Sequence, residues 1–149
     1  MVKIFSIEGN IGSGKSTLVN ILKTTVSNNN VVFMEEPVDI WNSIKDDSGE
    51  TMLSKFYKDQ KTYAFSFQMM AYISRLSLLK RVIKENPNAI LITERSVFTD
   101  KEVFAKMLYD DKKIELVNYD IYNRWFDEFV KQYPLNGIIY VKTDPEICQ

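Results

Sequence analysis

Histidine is absent from the 149 residues of this chain, and a single cysteine, Cys148, stands next to its end. Without histidine there is no His-based triad and no His metal site, so a general base must be a carboxylate, a lysine or a tyrosine. One cysteine excludes a disulfide framework and a cysteine-ligated metal cluster. Neither sign of charge is in excess. Nineteen Lys and Arg against 20 Asp and Glu leave a formal net charge of −1, mixed along the chain, which speaks against DNA or RNA as a bound partner. Apolar runs have the length of strands, so no membrane span is expected. Internal repeats and linkers are missing too. The first strand pattern opens at Val2, which predicts no signal or transit segment and a cytoplasmic location.

With 45% hydrophobic residues, the chain has enough apolar material for one domain with a real core, over residues 1–149. Short apolar or β-branched runs at 3–7, 31–34, 89–93 and 137–141 read as strands. Helical patterns lie between them, and that alternation predicts a parallel, three-layer α/β sheet. The first helix spans about 15–26 and ends in the polar turn Ser27-Asn28-Asn29-Asn30. The polar stretch 45–50 is a loop placed to cap the next helix. A long amphipathic helix over about 61–84 stops at Glu85-Asn86-Pro87-Asn88. Ser96 is a candidate N-cap for a helix reaching Tyr109, and a further helix covers about 114–133. In that last helix Tyr122, Trp125, Phe126 and Phe129 follow i, i+3, i+4, i+7, a stripe expected in the core or at a subunit interface. Thr143-Asp144-Pro145-Glu146 reads as the start of one more helix.

The strongest local signal is Glu8-Gly9-Asn10-Ile11-Gly12-Ser13-Gly14-Lys15-Ser16-Thr17, where an apolar strand runs into G-x-x-x-x-G-K-[ST] and a helix follows at once. Glycines let the backbone wrap phosphate oxygens, and amides of the loop and helix N-terminus act as anion donors. Lys15 is placed to reach the β/γ-phosphates and Ser16 to hold Mg²⁺. This predicts a nucleoside-triphosphate site over Gly9, Asn10, Ile11, Gly12, Ser13, Gly14, Lys15, Ser16 and Thr17. A GTPase would carry N-K-x-D, which is absent. Asp46-Asp47-Ser48-Gly49 matches D-x-x-G, but no apolar strand leads into it. The third strand ends in Glu94-Arg95-Ser96 and the second in Glu35-Glu36-Pro37, at the edge where open α/β sheets bind ligands.

Glu36-Pro37-Val38-x-x-Trp41, Phe67-Gln68 and Glu94-Arg95-Ser96, following this phosphate loop, strongly resemble the deoxynucleoside kinase family, of the deoxycytidine, deoxyguanosine and insect multisubstrate type. The resemblance runs in order over essentially the whole chain. It implies a P-loop kinase fold with four of an expected five strands, and ATP-dependent phosphorylation of the 5′-hydroxyl of deoxynucleosides with Mg²⁺, by a homodimer serving nucleotide salvage. Glu36 matches the carboxylate that takes the 5′-hydroxyl proton, while its neighbour Glu35 suits a structural ion pair. Arg95 matches the arginine that positions the 5′-oxygen and meets charge on the transferred phosphoryl group. Glu94 is expected to reach Mg²⁺ together with Ser16.

Gln68, Ala71, Tyr72 and Arg75 share one helical face by their spacing. The resemblance makes Gln68 the base-pairing glutamine, Phe67 and Phe104 the aromatics that sandwich the base, and Tyr57 the partner of the 3′-hydroxyl. Trp41 lines sugar and base. Arg75 and Asp100 match an Arg/Asp couple of the deoxycytidine and deoxyguanosine enzymes, with Ala71 of the cytidine type, so dC, dG and dA are expected ahead of thymidine. The arginine-rich lid, the second 3′-hydroxyl carboxylate and the fifth strand that the resemblance implies have no match within these residues, an expectation of a C-terminally incomplete domain. Two alternatives stay open on sequence: a nucleoside monophosphate kinase, which Glu36 disfavours by repelling an acceptor phosphate, and a non-catalytic nucleotide- or nucleoside-binding relative.

Overall fold

The four expected strands form, and they pair in register. In the computed structural model, which describes residues 1–148, β1 (Lys3–Glu8), β2 (Val31–Met34), β3 (Ile90–Glu94) and β4 (Gly137–Tyr140) make one sheet in the order β2-β3-β1-β4. All neighbouring pairs are parallel, as the strand–helix alternation requires. The inner strands β1 and β3 carry the most deeply buried residues of the sheet, Ile4, Ser6, Ile7, Leu91 and Thr93. Ile7 lies opposite Glu94 and Met34 opposite Thr93, so β1, β2 and β3 end at one edge. Asn136 extends the pairing before β4: its amide donates to the Ile4 carbonyl, and its side-chain oxygen accepts from the Ile4 amide.

Along the chain the strands alternate with α1 (Lys15–Thr25), α2 (Val38–Ser43), α3 (Met52–Lys58), α4 (Gln60–Glu85), α5 (Val97–Thr99), α6 (Lys106–Asp110) and α7 (Leu116–Val130). The chain packs as two compact units, each discontinuous in sequence. The first comprises Met1–Glu36, Leu79–Ser96 and the residues from Tyr133 on, and holds the sheet and α1. The second comprises Pro37–Leu78 and Val97–Gln132 and is helical. Among the described residues no helix is long and apolar enough to cross a membrane.

Helix α4 buries Gln68, Ala71, Tyr72 and Arg75, the face read from the sequence, together with flanking residues such as Phe67, Met70, Ser74 and Leu76. The core of the second unit forms where Trp41, Phe56, Phe67, Met70, Leu108 and Ile114 meet. Between α5 and α6, residues Asp100–Ala105 form a π-helical segment, and the backbone stays right-handed helical at both junctions, so 97–110 is one helix with a widened middle. It begins after Ser96 and ends one residue past Tyr109, close to expectation.

Local structure adds to or departs from these expectations in four places. The short helices α2 and α3 carry no long periodicity and were not predicted. The 45–50 loop does not itself cap α3; Thr51 does, its hydroxyl accepting from the Ser54 amide at 3.1 Å. The loop is instead folded on Asp46, whose carboxylate accepts from Lys55, Ser48 and the Glu50 amide and is held well below the usual carboxylate range by those bonds. The segment from Thr143 makes a turn, with Ile147 donating to the Asp144 carbonyl, and no helix among the described residues. The aromatic stripe of α7 divides: Tyr122 and Phe126 are buried, whereas Trp125 is half exposed and stacks on Phe129.

Because Ile7 is fully buried in the central strand, Ile7→Ala should lower stability by about 2–5 kcal/mol. Urea denaturation checks this, and a loss well under 1 kcal/mol would contradict the packing described.

Candidate active site

The phosphate loop begins where β1 ends. Gly14 takes a left-handed φ of 93° immediately before α1 starts at Lys15, a conformation that suits glycine and turns the chain from loop into helix. Lys15 is 5% exposed, and its ammonium donates to the Asn10 carbonyl at 2.5 Å and more distantly to Ser13 Oγ at 3.4 Å. Burial holds its pKa below the ordinary lysine value, and the Arg95 charge adds to that, while Glu36, Glu94 and Glu8 oppose it. The Ser16 hydroxyl donates to Glu94 Oε1 at 2.6 Å, joining the start of α1 to the end of β3. A hydroxyl and a carboxylate are hard oxygen groups of the kind Mg²⁺ accepts, and among the described residues no cluster of three or more His, Cys, Asp or Glu side chains is placed to hold a metal ion.

The second half of this edge is Glu36 and Arg95. The Arg95 amide continues the β1–β3 ladder by donating to the Ile7 carbonyl at 2.9 Å. Its φ is 58°, a left-handed backbone on a non-glycine residue, of the kind that costs ~1–3 kcal/mol and persists where surroundings enforce it. That conformation turns the chain out of the strand, and Arg95 Nη1 meets Glu36 Oε1 at 2.9 Å. The pair is largely shielded, with the arginine 10% and the glutamate 19% exposed at the side chain. Glu35 goes elsewhere, to an exposed ion pair with Lys23, matching the structural role read for it. Lys15, Ser16, Glu36, Glu94 and Arg95 thus all belong to the first unit, and Asn10 and Ile11 stand exposed in its loop.

The second unit holds the other set. Gln68 is 3% exposed, and its Oε1 finds no hydrogen-bond partner among the described residues. Arg75, 1% exposed, donates through Nε to Asp100 Oδ2 at 2.8 Å and through Nη2 to Oδ1 at 3.4 Å. Asp100 opens the π-helical segment, and Phe104 lies four residues on within it. Trp41 is fixed by its indole N–H donating to Ser74 Oγ at 2.8 Å, and it meets Phe67 edge-on. Ala71 is buried beside Phe67 in the same core. Phe67 stacks on Phe56 with ring centroids 4.4 Å apart. Tyr57, by contrast, is 70% exposed on α3 and is not drawn into this core. Sequence reading missed Phe56 and Ser74. Neither Phe56 nor Ser74 carries a motif or spacing that marks it in the sequence. Tyr122, read from the sequence only as part of the aromatic stripe, is fully buried; among the described residues its hydroxyl has no hydrogen-bond partner, and its ionisation is suppressed by burial and by the Asp100 charge.

Comparison with known proteins adds to this geometry. The profile of the deoxynucleoside kinase family matches residues 5–149. The chain belongs to the deoxynucleoside kinase family. It is 40% identical over 149 residues to the probable deoxycytidine kinase of fowlpox virus, covering 98% of this chain and 58% of that protein. Identity is 37% to deoxycytidine kinase 1 of Xenopus laevis, over 99% of this chain and 62% of the relative. The mitochondrial deoxyguanosine kinase of Xenopus laevis is 32% identical over 99% of this chain and 62% of its own length. The chain therefore spans about three fifths of the length of these relatives. The α/β fold with parallel strands expected from the kinase resemblance is the fold observed.

Removing one partner of the buried Arg75–Asp100 pair strands the other charge, which typically costs ~3–5 kcal/mol. Asp100→Ala should therefore be clearly less stable than the double replacement Arg75→Met with Asp100→Ala. Thermal melts of the two variants test this; equal melting temperatures would contradict it.

Proposed function

We propose that this chain carries the catalytic machinery of an ATP-dependent deoxynucleoside kinase that phosphorylates the 5′-hydroxyl of free deoxynucleosides, a salvage reaction. The observation that carries the reading is the Glu36–Arg95 pair at 2.9 Å, at the strand edge from which the phosphate loop springs. ATP supplies the γ-phosphoryl group. Mg²⁺ would be held by Ser16 and Glu94 and would neutralise phosphate charge. Lys15 and the loop amides grip the β- and γ-phosphates. Glu36 takes the proton of the 5′-hydroxyl as its oxygen bonds to the γ-phosphorus, the bond to the bridging oxygen breaks, and ADP leaves. Arg95 positions the 5′-oxygen and meets the charge that builds on the transferred group.

The residues of the second unit are read as handling the nucleoside. Gln68 Oε1 is a buried acceptor awaiting a donor, and a buried polar atom of this kind calls for a partner. The N–H groups of a nucleobase edge supply one. Phe67 and Phe104 supply aromatic faces for the base, Trp41 lines the sugar, and Tyr57 serves the 3′-hydroxyl. The Arg75–Asp100 pair and Ala71 favour dC, dG or dA over thymidine, because a charged pair beside the base leaves no room for the thymine methyl. The active form is proposed to be a homodimer. Val103 and Met107, with Leu116, Val117, Ile121 and Trp125 of α7, are exposed and apolar, and a partner copy would cover such a surface.

Lys15→Ala should abolish turnover while leaving the fold intact by circular dichroism. Glu36→Gln should keep deoxynucleoside binding and lower kcat by ~10²–10⁴-fold; lost binding with normal kcat would make Glu36 a binding group instead. Arg75→Met with Asp100→Ala should raise thymidine turnover relative to deoxycytidine, and an unchanged four-nucleoside profile would refute the role given to the pair. Sedimentation should show a dimer, and a monomer at high micromolar concentration would count against the interface.

A further inference from the structure

The segment that follows β4 braces the phosphate loop from outside. The Val141 amide carries the sheet ladder one step further, donating to the Glu8 carbonyl at 2.8 Å. Its own carbonyl lies so close to Gly9 that a Cβ there would come within 2.8 Å of it, and a Cβ on Gly12 would collide with the Cys148 carbonyl. Between these two contacts the Thr143 hydroxyl donates to the Ser13 carbonyl at 2.9 Å, linking residues 130 apart in sequence. The loop glycines therefore serve a second purpose besides admitting phosphate: they admit this brace.

We infer that Thr143 is a positioning residue for the phosphate donor, orienting the Ser13–Gly14 peptide so that the Gly14 amide is presented to phosphate oxygens. In a trans peptide the carbonyl and the N–H point to opposite sides, and no peptide bond of the described chain is cis. Holding the Ser13 carbonyl on the Thr143 side thus aims the Gly14 N–H away from it, into the loop. A ring of inward amides is what binds an anion in such a loop. A peptide without that tether can rotate, and a rotated carbonyl would face the phosphates with the wrong sign. The inference rests on the reading of this loop as the ATP site.

The test is titration calorimetry of the full chain with ATP and, separately, with inorganic tripolyphosphate, which reports the phosphate contacts alone. Thr143→Val removes the hydroxyl and nearly keeps the shape; it should weaken both ligands about 5- to 10-fold, the scale of one hydrogen bond. Thr143→Ser should bind within about twofold of the unaltered protein. In turnover, Thr143→Val should raise KM for ATP and leave KM for the deoxynucleoside unchanged, a split that general loosening would not produce. Unaltered tripolyphosphate binding by Thr143→Val, or equal losses for nucleotide and nucleoside, would overturn the inference. If Thr143→Val does not fold, Thr143→Ala takes its place, and failure of both to fold would make the residue structural and end the inference. Should the unaltered protein bind neither ATP nor tripolyphosphate, the kinase reading falls with it; binding by the unaltered protein and equally by Thr143→Val sinks only the role of Thr143.

Discussion

Parallel pairing of β1 with β3 sets Ile7 opposite Glu94 and lets the Arg95 amide bond the Ile7 carbonyl, so the phosphate loop and Glu94-Arg95 leave the sheet from adjacent strands. Glu94 and Arg95 depend on that register for their place beside the phosphate loop. A slip of one residue would turn Glu94 to the other face of the sheet, and its 2.6 Å contact with Ser16 would go. The left-handed backbone at Arg95 belongs to the same constraint, because the ladder holds its amide while the side chain turns toward Glu36.

Buried charge is the second theme. Lys15, Glu94 and Arg95 in one unit, and Arg75 and Asp100 in the other, are each no more than 8% exposed. Ionised groups out of water need partners, and each of these has one: Lys15 the Asn10 carbonyl, Glu94 the Ser16 hydroxyl, Arg95 the Glu36 carboxylate, and Arg75 its aspartate. Such arrangements are weak sources of stability, since desolvation offsets most of the attraction. Gln68 is the neutral exception, because its buried oxygen has no hydrogen-bond partner among the described residues.

Much of this could be read from the residues. The strands were legible because each is a short apolar run between turn-forming residues. The face of α4 was legible because Gln68, Ala71, Tyr72 and Arg75 repeat at helical spacing within an uninterrupted helix. Helices α2 and α3, of six and seven residues, are too short to show a period. The π-helical segment at Asp100–Ala105 was hidden because one widened turn leaves no compositional mark. The ion pairs of Glu36 and Arg75 join residues 59 and 25 positions away, and the contact of Thr143 with Ser13 spans 130. Such contacts are fixed by topology, which local pattern does not carry. The phosphate loop was the exception, because strand, loop and helix there are contiguous in sequence.

The central claim is that this strand edge moves a phosphoryl group from ATP to a nucleoside hydroxyl. Phosphorus NMR of the protein with ATP, Mg²⁺ and deoxycytidine follows the atom itself. The account predicts that the γ-phosphate signal is replaced by that of a 5′-phosphomonoester, one equivalent for each ADP formed, and that nothing is consumed without the nucleoside. Release of inorganic phosphate at the same rate with and without deoxycytidine would contradict it.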